Sequence, residues 1–228
     1  MDLHATLYPQ QHAAVTAPDG PTLVLAGPGS GKTRVLTHRI AHLIYARQVP
    51  PYQIIAVTFN NKAAGVMRAR VRGILGDRLR GLRIGTFHAL CAQLLRMEAD
   101  EQADGVLGSY NRNYLIYDTD DQKKLVAQAV EDIGVNLKRL SLTPYKVLFQ
   151  ISDAKNELVE PKDYPRSAYE DEVIARVYEQ YQRLLQDNNA MDFDDLIMKT
   201  VLLLRENAET REVYQRRFEH VLVDEIQD

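Results

Sequence analysis

Cysteine is almost missing from this sequence: 228 residues contain one, Cys91. A lone thiol closes no internal disulfide and has no companion for a cysteine-based metal site, which suits a reducing cytoplasm. Cys91 reads as a small apolar residue buried on a helix. Also lacking is any apolar run approaching the length that crosses a bilayer, and the opening MDLHATLYPQ has neither the basic segment nor the apolar stretch of a signal peptide. The expectation is a cytoplasmic protein, neither exported nor membrane-embedded. No internal repeat or low-complexity segment appears. With 45% hydrophobic and 26% charged positions, the chain is large enough for one big domain or two small ones.

Net charge is small as well, at −3, but it is unevenly spread. Residues 1–96 carry 12 Lys and Arg against 3 Asp and Glu, a balance of +9, whereas residues 97–228 carry 16 against 28, a balance of −12. Within the first part, Lys62, Arg68, Arg70, Arg72, Arg78, Arg80, Arg83 and Arg96 stand against one acid, Asp77. Such a run fits a surface for phosphate backbones, and on charge alone it fits a solvated helix face equally well.

Four segments read as strands: TLVLAG (22–27), IIAVTF (54–59), RIGTFH (83–88) and HVLVDE (220–225). The first, second and last are continuous apolar runs, as expected of parallel strands buried on both faces. Between them, Leu36, Ile40, Leu43 and Ile44 share one helical face, and Met67, Val71, Ile74 and Leu75 share another. This β-α-β-α order predicts an α/β fold, an open parallel sheet with helices packed against it. From about Leu90 to Ala190 only amphipathic helices are legible. TDDQ (119–122) reads as a capping box with Gly134 as the stop, Thr143-Pro144 reads as a cap and first turn, and Tyr169, Val173, Val177, Tyr181, Leu184 and Leu185 mark a longer helix. The expected organisation is a sheet domain over residues 1–89, an all-helical insertion over 90–190, and a return to the sheet domain over 191–228.

AGPGSGKT (26–33) follows the first apolar run and opens the first helix. It fits a phosphate-binding loop, except that Ala26 stands where a glycine usually leads. Gly27, Gly29 and Gly31, with Pro28 and Ser30 between them, let backbone N–H groups converge on phosphate oxygens at a helix N-terminus. Lys32 would reach the β and γ phosphates of ATP, and the Thr33 hydroxyl would hold Mg²⁺. The chain's last stretch, LVDEIQD, supplies the other half of such a site: Asp224 to anchor Mg²⁺ through water and Glu225 to orient or deprotonate the attacking water.

These motifs, in this order, resemble the N-terminal part of the UvrD/PcrA/Rep family of superfamily 1 DNA helicases. LYPQQ (7–11) resembles the segment that reads adenine, which implies that role for Gln11, with Tyr8 where the family usually has Asn. AGPGSGKTR resembles the family's first motif and implies that Arg34 contacts the base. TFNNKAA (58–64) resembles the next motif, with Asn60 in place of Thr and Val66 in place of a glutamate. GTFHALCAQLLR (85–96) resembles a further motif, and DFDDLI (192–197) resembles the segment that returns the chain to the first motor domain. LVDEIQD matches the second nucleotide motif, with Ile226 for an aromatic residue and Gln227 as the implied γ-phosphate sensor. The resemblance implies a RecA-like P-loop NTPase domain carrying a helical accessory subdomain. It also implies single-stranded DNA contacts at Phe59, Asn61, Lys62, Thr86, Phe87 and His88. Rings beside a basic segment suit sequence-tolerant stacking. Without the family match, Phe59 and Phe87 read as core aromatics at strand ends, His88 as a capping or packing residue, and Asp192 as a helix cap.

The resemblance implies an enzyme, the nucleotide-binding portion of an ATP-driven 3′-to-5′ DNA-unwinding motor used in repair, acting on single-stranded DNA and single-strand/duplex junctions. On this reading the chain is a fragment, because the family's second RecA-like domain, which supplies arginines to the γ-phosphate, is not in the sequence. The alternative is a nucleotide and single-strand binding module with no turnover of its own. A small-molecule kinase using the same loop explains neither the DEIQ stretch nor the TFH segment.

Overall fold

Along the chain the helices and strands begin with α1 (Pro9–Val15), α2 (Lys32–Tyr45), β1 (Ile54–Thr58), α3 (Asn61–Leu75), β2 (Arg83–Thr86) and α4 (Phe87–Glu98). They continue with β3 (Leu115–Tyr117), α5 (Thr119–Asp132), α6 (Pro144–Asn156), α7 (Tyr169–Asp187), β4 (Ala190–Asp192) and α8 (Phe193–Glu206), and finish with α9 (Ala208–Arg217) and β5 (His220–Val223). The computed structural model describes residues 5–99 and 105–226. It is a mixed α/β chain whose strands pair in parallel, divided into two units: Met1–Ala89 with Glu212–Asp228, and Leu90–Arg211. None of its helices is long and apolar enough to cross a membrane, among the described residues.

In the first unit, β1 is the central strand of the order β2-β1-β5. Its residues Ile54, Ala56 and Val57 are buried, as an apolar run in a parallel sheet requires. The register sets Thr58 opposite Thr86 on one side and Val57 opposite Val223 on the other, so all three strands finish at the same end. On one face, Ile40, Leu43 and Ile44 of α2 and Met67, Val71 and Leu75 of α3 pack with Ile54, Ala56 and Ile84 in one core. Helix α3 starts where it does because the Asn60 side chain accepts the Ala63 N–H at 2.8 Å. It stops at Gly76, whose φ of 58° ends the helical turn.

The expected strand at 22–27 does not form. Residues 21–27 are unpaired, and Leu23, Val24 and Leu25 are 68%, 42% and 86% exposed. A parallel strand needs a neighbour to complete its backbone hydrogen bonds. Both sides of β1 are already taken, and no other described strand lies beside this run.

The second unit has its own cores, the larger formed by α5, α6 and α7 around Val126, Val147, Ile151, Val177, Tyr178 and Tyr181. Asp118, one residue ahead of the expected cap, receives the Asp120 and Asp121 N–H groups at 2.9 and 3.0 Å. Thr143 and Gly134 act as expected, at the start of α6 and just past the end of α5. The segment is not all helical: β3 and β4 pair in parallel, with Ile116 opposite Met191. Three-residue strands are too short for alternation or an apolar run to show in sequence. Beside β4, Lys155 is wholly buried, its ammonium 2.7 Å from Asp192 and 3.0 Å from Asp195. Burial opposes its charge, but the two carboxylates outweigh that and raise its pKa. Asp192 also accepts from Tyr181 Oη at 2.9 Å and caps α8 by accepting the Asp195 N–H at 2.8 Å. DFDDLI is thus a helix start fastened by a buried cation.

Lys155→Met, which keeps the bulk and removes the charge, leaves two buried carboxylates unpaired. It should cost about 3–5 kcal/mol of stability. Urea unfolding followed by circular dichroism would show it, and an unchanged midpoint would contradict the assignment.

Candidate functional site

The loop from Ala26 to Thr33 joins the unpaired apolar run to α2. Gly29 and Gly31 hold φ of 75° and 87°, a region that costs an L side chain about 1–2 kcal/mol. A Cβ on Gly31 would also meet Gln11 Nε2 at 2.9 Å. The loop closes on itself, with the Ser30 N–H and hydroxyl donating to the Gly27 carbonyl at 3.3 and 2.7 Å. Lys32 Nζ donates to the Ala26 carbonyl at 3.3 Å, so its ammonium lies back over the loop it follows. Pro28 is exposed.

Two residues tie this loop to the segment ahead of it. Gln11 Nε2 donates to the Ser30 carbonyl at 2.9 Å, while its Oε1 accepts the Tyr8 N–H at 3.2 Å. Arg34 donates to the Thr6 carbonyl at 2.8 Å. Tyr8, a departure from the family pattern, meets Gln11 through its backbone N–H at the head of α1, and its side chain is exposed.

On the other side, Asp224 continues the β1–β5 ladder by donating its N–H to the Val57 carbonyl at 2.9 Å. This holds the buried Asp224 at the end of the sheet, where Thr33 Oγ1 donates to its Oδ2 at 3.2 Å. Glu225 follows with φ of 52°, so the chain turns sharply just past the strand. Gln227 lies outside the described residues. Among the described residues no three His, Cys, Asp or Glu side chains gather into a metal cage. One carboxylate and one hydroxyl are the donor set that suits Mg²⁺, which keeps several waters and takes its other oxygens from phosphates.

Beside this site, the pairing of Thr58 with Thr86 brings the residues after β1 and β2 to the same edge. Phe59 and Phe87 are 61% and 45% exposed, so neither is a core aromatic. Asn61 and Lys62 are exposed on the first turn of α3, and His88 is half-buried. Thr86 is buried and its Oγ1 accepts the Ala89 N–H at 3.2 Å, which fixes the start of α4. Part of the basic run serves the fold: Arg68 donates to the Ile84 carbonyl at 2.6 Å, and Arg78 and Arg96 sit over the Tyr45 and Tyr114 rings. Lys62, Arg70, Arg72 and Arg80 are exposed. Asn60 was legible as a motif departure but not as the cap of α3, although an Asn just before an apolar-periodic stretch carries that signal.

Similarity to known proteins agrees with this geometry. The family model of the UvrD/REP helicase N-terminal domain matches residues 7–228. The chain is 45% identical over 224 residues to the ATP-dependent DNA helicase PcrA of Bacillus subtilis, covering 97% of this chain and 29% of that protein. It is 44% identical over 227 residues to the ATP-dependent DNA helicase UvrD1 of Mycobacterium tuberculosis, covering 97% and 28% respectively. It spans less than a third of the length of these relatives.

The glycines of the loop should respond unequally to a methyl group. Gly31→Ala forces a left-handed alanine and displaces Gln11, and should lower stability by about 1–2 kcal/mol. Gly27→Ala, with nothing within 4 Å of the added Cβ, should leave it nearly unchanged. Thermal unfolding of the two variants without nucleotide checks this, and equal losses would contradict the loop geometry.

Proposed function

This chain belongs to the UvrD/REP helicase N-terminal domain family, and we propose that it is the ATP-binding portion of a DNA helicase that translocates 3′ to 5′ on single-stranded DNA and opens duplex junctions, in DNA repair. In this reading the unit of residues 1–89 and 212–228 belongs to the first RecA-like domain, and the unit of residues 90–211, which extends past the expected boundary at 190, is the accessory subdomain. The observation that carries this reading is the 3.2 Å contact between Thr33 and Asp224, which joins a glycine-rich loop to a strand-end carboxylate 191 positions away. Oxygen donors meeting at the N-terminus of α2 suit a nucleotide's phosphates and their cation.

In this reading Lys32 turns from the Ala26 carbonyl to the β and γ phosphates, an exchange that costs it only one exposed hydrogen bond. Thr33 and Asp224 hold Mg²⁺, which when bound neutralises phosphate charge. Glu225, aimed by its turn just past β5, orients the attacking water and takes its proton, and Gln227 senses the γ-phosphate. Gln11 and Arg34 contact the adenine. Phe59 and Phe87 stack on bases, with Asn61, Lys62, Thr86 and His88 beside them on the strand. Stacking on rings of any base and pairing with phosphates gives binding without sequence preference. Turnover by these residues alone is slow, because the cationic groups that stabilise the transition state come from the rest of the longer protein, and such groups are worth about 10³–10⁵ in rate.

Mg-ATP should raise the melting temperature of the chain, since a ligand that prefers the folded state stabilises it by mass action. Lys32→Ala should abolish the shift, and an equal shift in that variant would place the ligand elsewhere. For the DNA face, anisotropy of labelled oligo-dT should show weak, salt-sensitive binding that falls further in Phe59→Ala and in Lys62→Ala. Salt-independent binding, or binding untouched by both variants, would show these residues to be structural.

A further inference from the structure

The cations of the first unit are unevenly employed. Arg34, Arg39, Arg47 and Arg68 are held by hydrogen bonds, and Arg78 lies over the Tyr45 ring. Lys62, Arg70 and Arg72 differ: all three are exposed on α3 and, among the described residues, none of them has a hydrogen bond or an ion pair. The sequence of α3, NKAAGVMRARVRGIL, holds no Asp or Glu. A helix face that serves only to meet water commonly sets opposite charges three or four positions apart, as α9 does with Arg216 and Glu212 and α5 with Lys123 and Asp120. In α3 the residue four before Arg72 is Arg68, a like-charge spacing that weakens a helix. Nothing in the fold uses Arg70 or Arg72, so their charge is available to something outside the chain.

At 100° per residue, Ala69 and Gly73 fall within about 20° of Lys62 around the helix, with Arg70 about 80° to one side and Arg72 about 80° to the other. The outward face of α3 is thus a low floor between two arginines, with Lys62 at its head. A Cβ on Gly65 or Gly73 would meet nothing within 4 Å, so the floor is open along the helix. Lys62 stands just past Phe59, on the rim where β1 and β2 end. We propose that this face of α3 is a phosphate track: a nucleic-acid strand leaving the Phe59 and Phe87 edge continues along it, held through its backbone by Lys62, Arg70 and Arg72. From Lys62 to Arg72 is about 15 Å at 1.5 Å per residue, room for up to about four phosphates at the 3.4 Å per strand of a stacked helix. A row of cations along one axis matches the repeating charge of such a strand. The face carries no aromatic side chain, so stacking plays no part in it and the track is indifferent to the bases. This inference rests on the reading of the Phe59 edge as a single-strand site and adds to it a second, purely electrostatic element.

Fluorescence anisotropy on the 228-residue chain separates the two elements. The probes are a labelled oligo-dT of about six nucleotides, a span that one single-strand surface engages, and the same oligonucleotide extended by about six abasic deoxyribose-phosphate units at its 5′ or its 3′ end. A tail at one end only should tighten binding by about tenfold at low salt, and should steepen the fall of log affinity with log salt by about 0.7 for each phosphate engaged. Combining Arg70→Gln with Arg72→Gln should remove both gains while leaving the short oligonucleotide's affinity and its dependence on Phe59 unchanged. The melting temperature should not fall, since both side chains are exposed. If the short oligonucleotide ignores Phe59→Ala while one tail still adds binding that needs Arg70 and Arg72, the edge reading fails and the track stands. Tails that add nothing, that add equally at both ends, or whose gain survives the double variant would overturn the track. Self-association that the double variant abolishes, with no effect of any tail, would do so too, since the occupant would then be the acidic part of a second copy.

Discussion

The parallel pairing of residues 54–57 with residues 220–223 is the constraint on which the rest of the site depends. It brings Asp224 from the far end of the sequence to the mouth of the glycine loop. Ordinarily, closing so long a stretch of chain carries an entropic cost that grows with its length. Here the intervening Leu90–Arg211 unit has its own hydrophobic cores, so it behaves as a folded link and not as a free loop. The buried Lys155 with Asp192 and Asp195 fastens β4 and α8 to α6, within that link.

Much of this was legible in the residues. IIAVT, RIGT and HVLV form the strands their composition suggests, and the helical faces of α2 and α3 point where their periodicity requires. The glycine loop was legible because few turns need three glycines, a lysine and a threonine at fixed spacing directly before a helix. What escaped was non-local. The TLVLAG run looks like a buried strand, yet whether it pairs depends on which neighbour the sheet provides, and local composition does not carry that information. The short β3–β4 pair escaped for a related reason, since three residues hold too little pattern. Lys155 looks like any solvated lysine on α6 until the fold sets two carboxylates against it.

The glycine loop and the aromatic edge are arranged by the same rule. In a parallel sheet the strands finish together, and the residues that follow them form one rim. β1 and β2 deliver Phe59, Lys62 and Phe87 to that rim, and β5 delivers Asp224. In the proposed reading, nucleotide chemistry and nucleic-acid stacking share a backbone frame, with the exposed cations of α3 beside it. The apolar run at 22–25 lies outside that frame, exposed and in no strand.

The central claim is that Thr33 and Asp224 act together on one cation held with a nucleotide. It is tested most directly by titrating a fluorescent ATP analogue with and without Mg²⁺ into the unsubstituted chain, Thr33→Val, Asp224→Asn and the double variant. Mg²⁺ should tighten binding to the unsubstituted chain by about tenfold or more, a difference of 1.4 kcal/mol or above. Each single variant should lose most of that gain, and the double variant should lose little beyond either one. A Mg²⁺ effect of the same size in all four proteins would contradict the account.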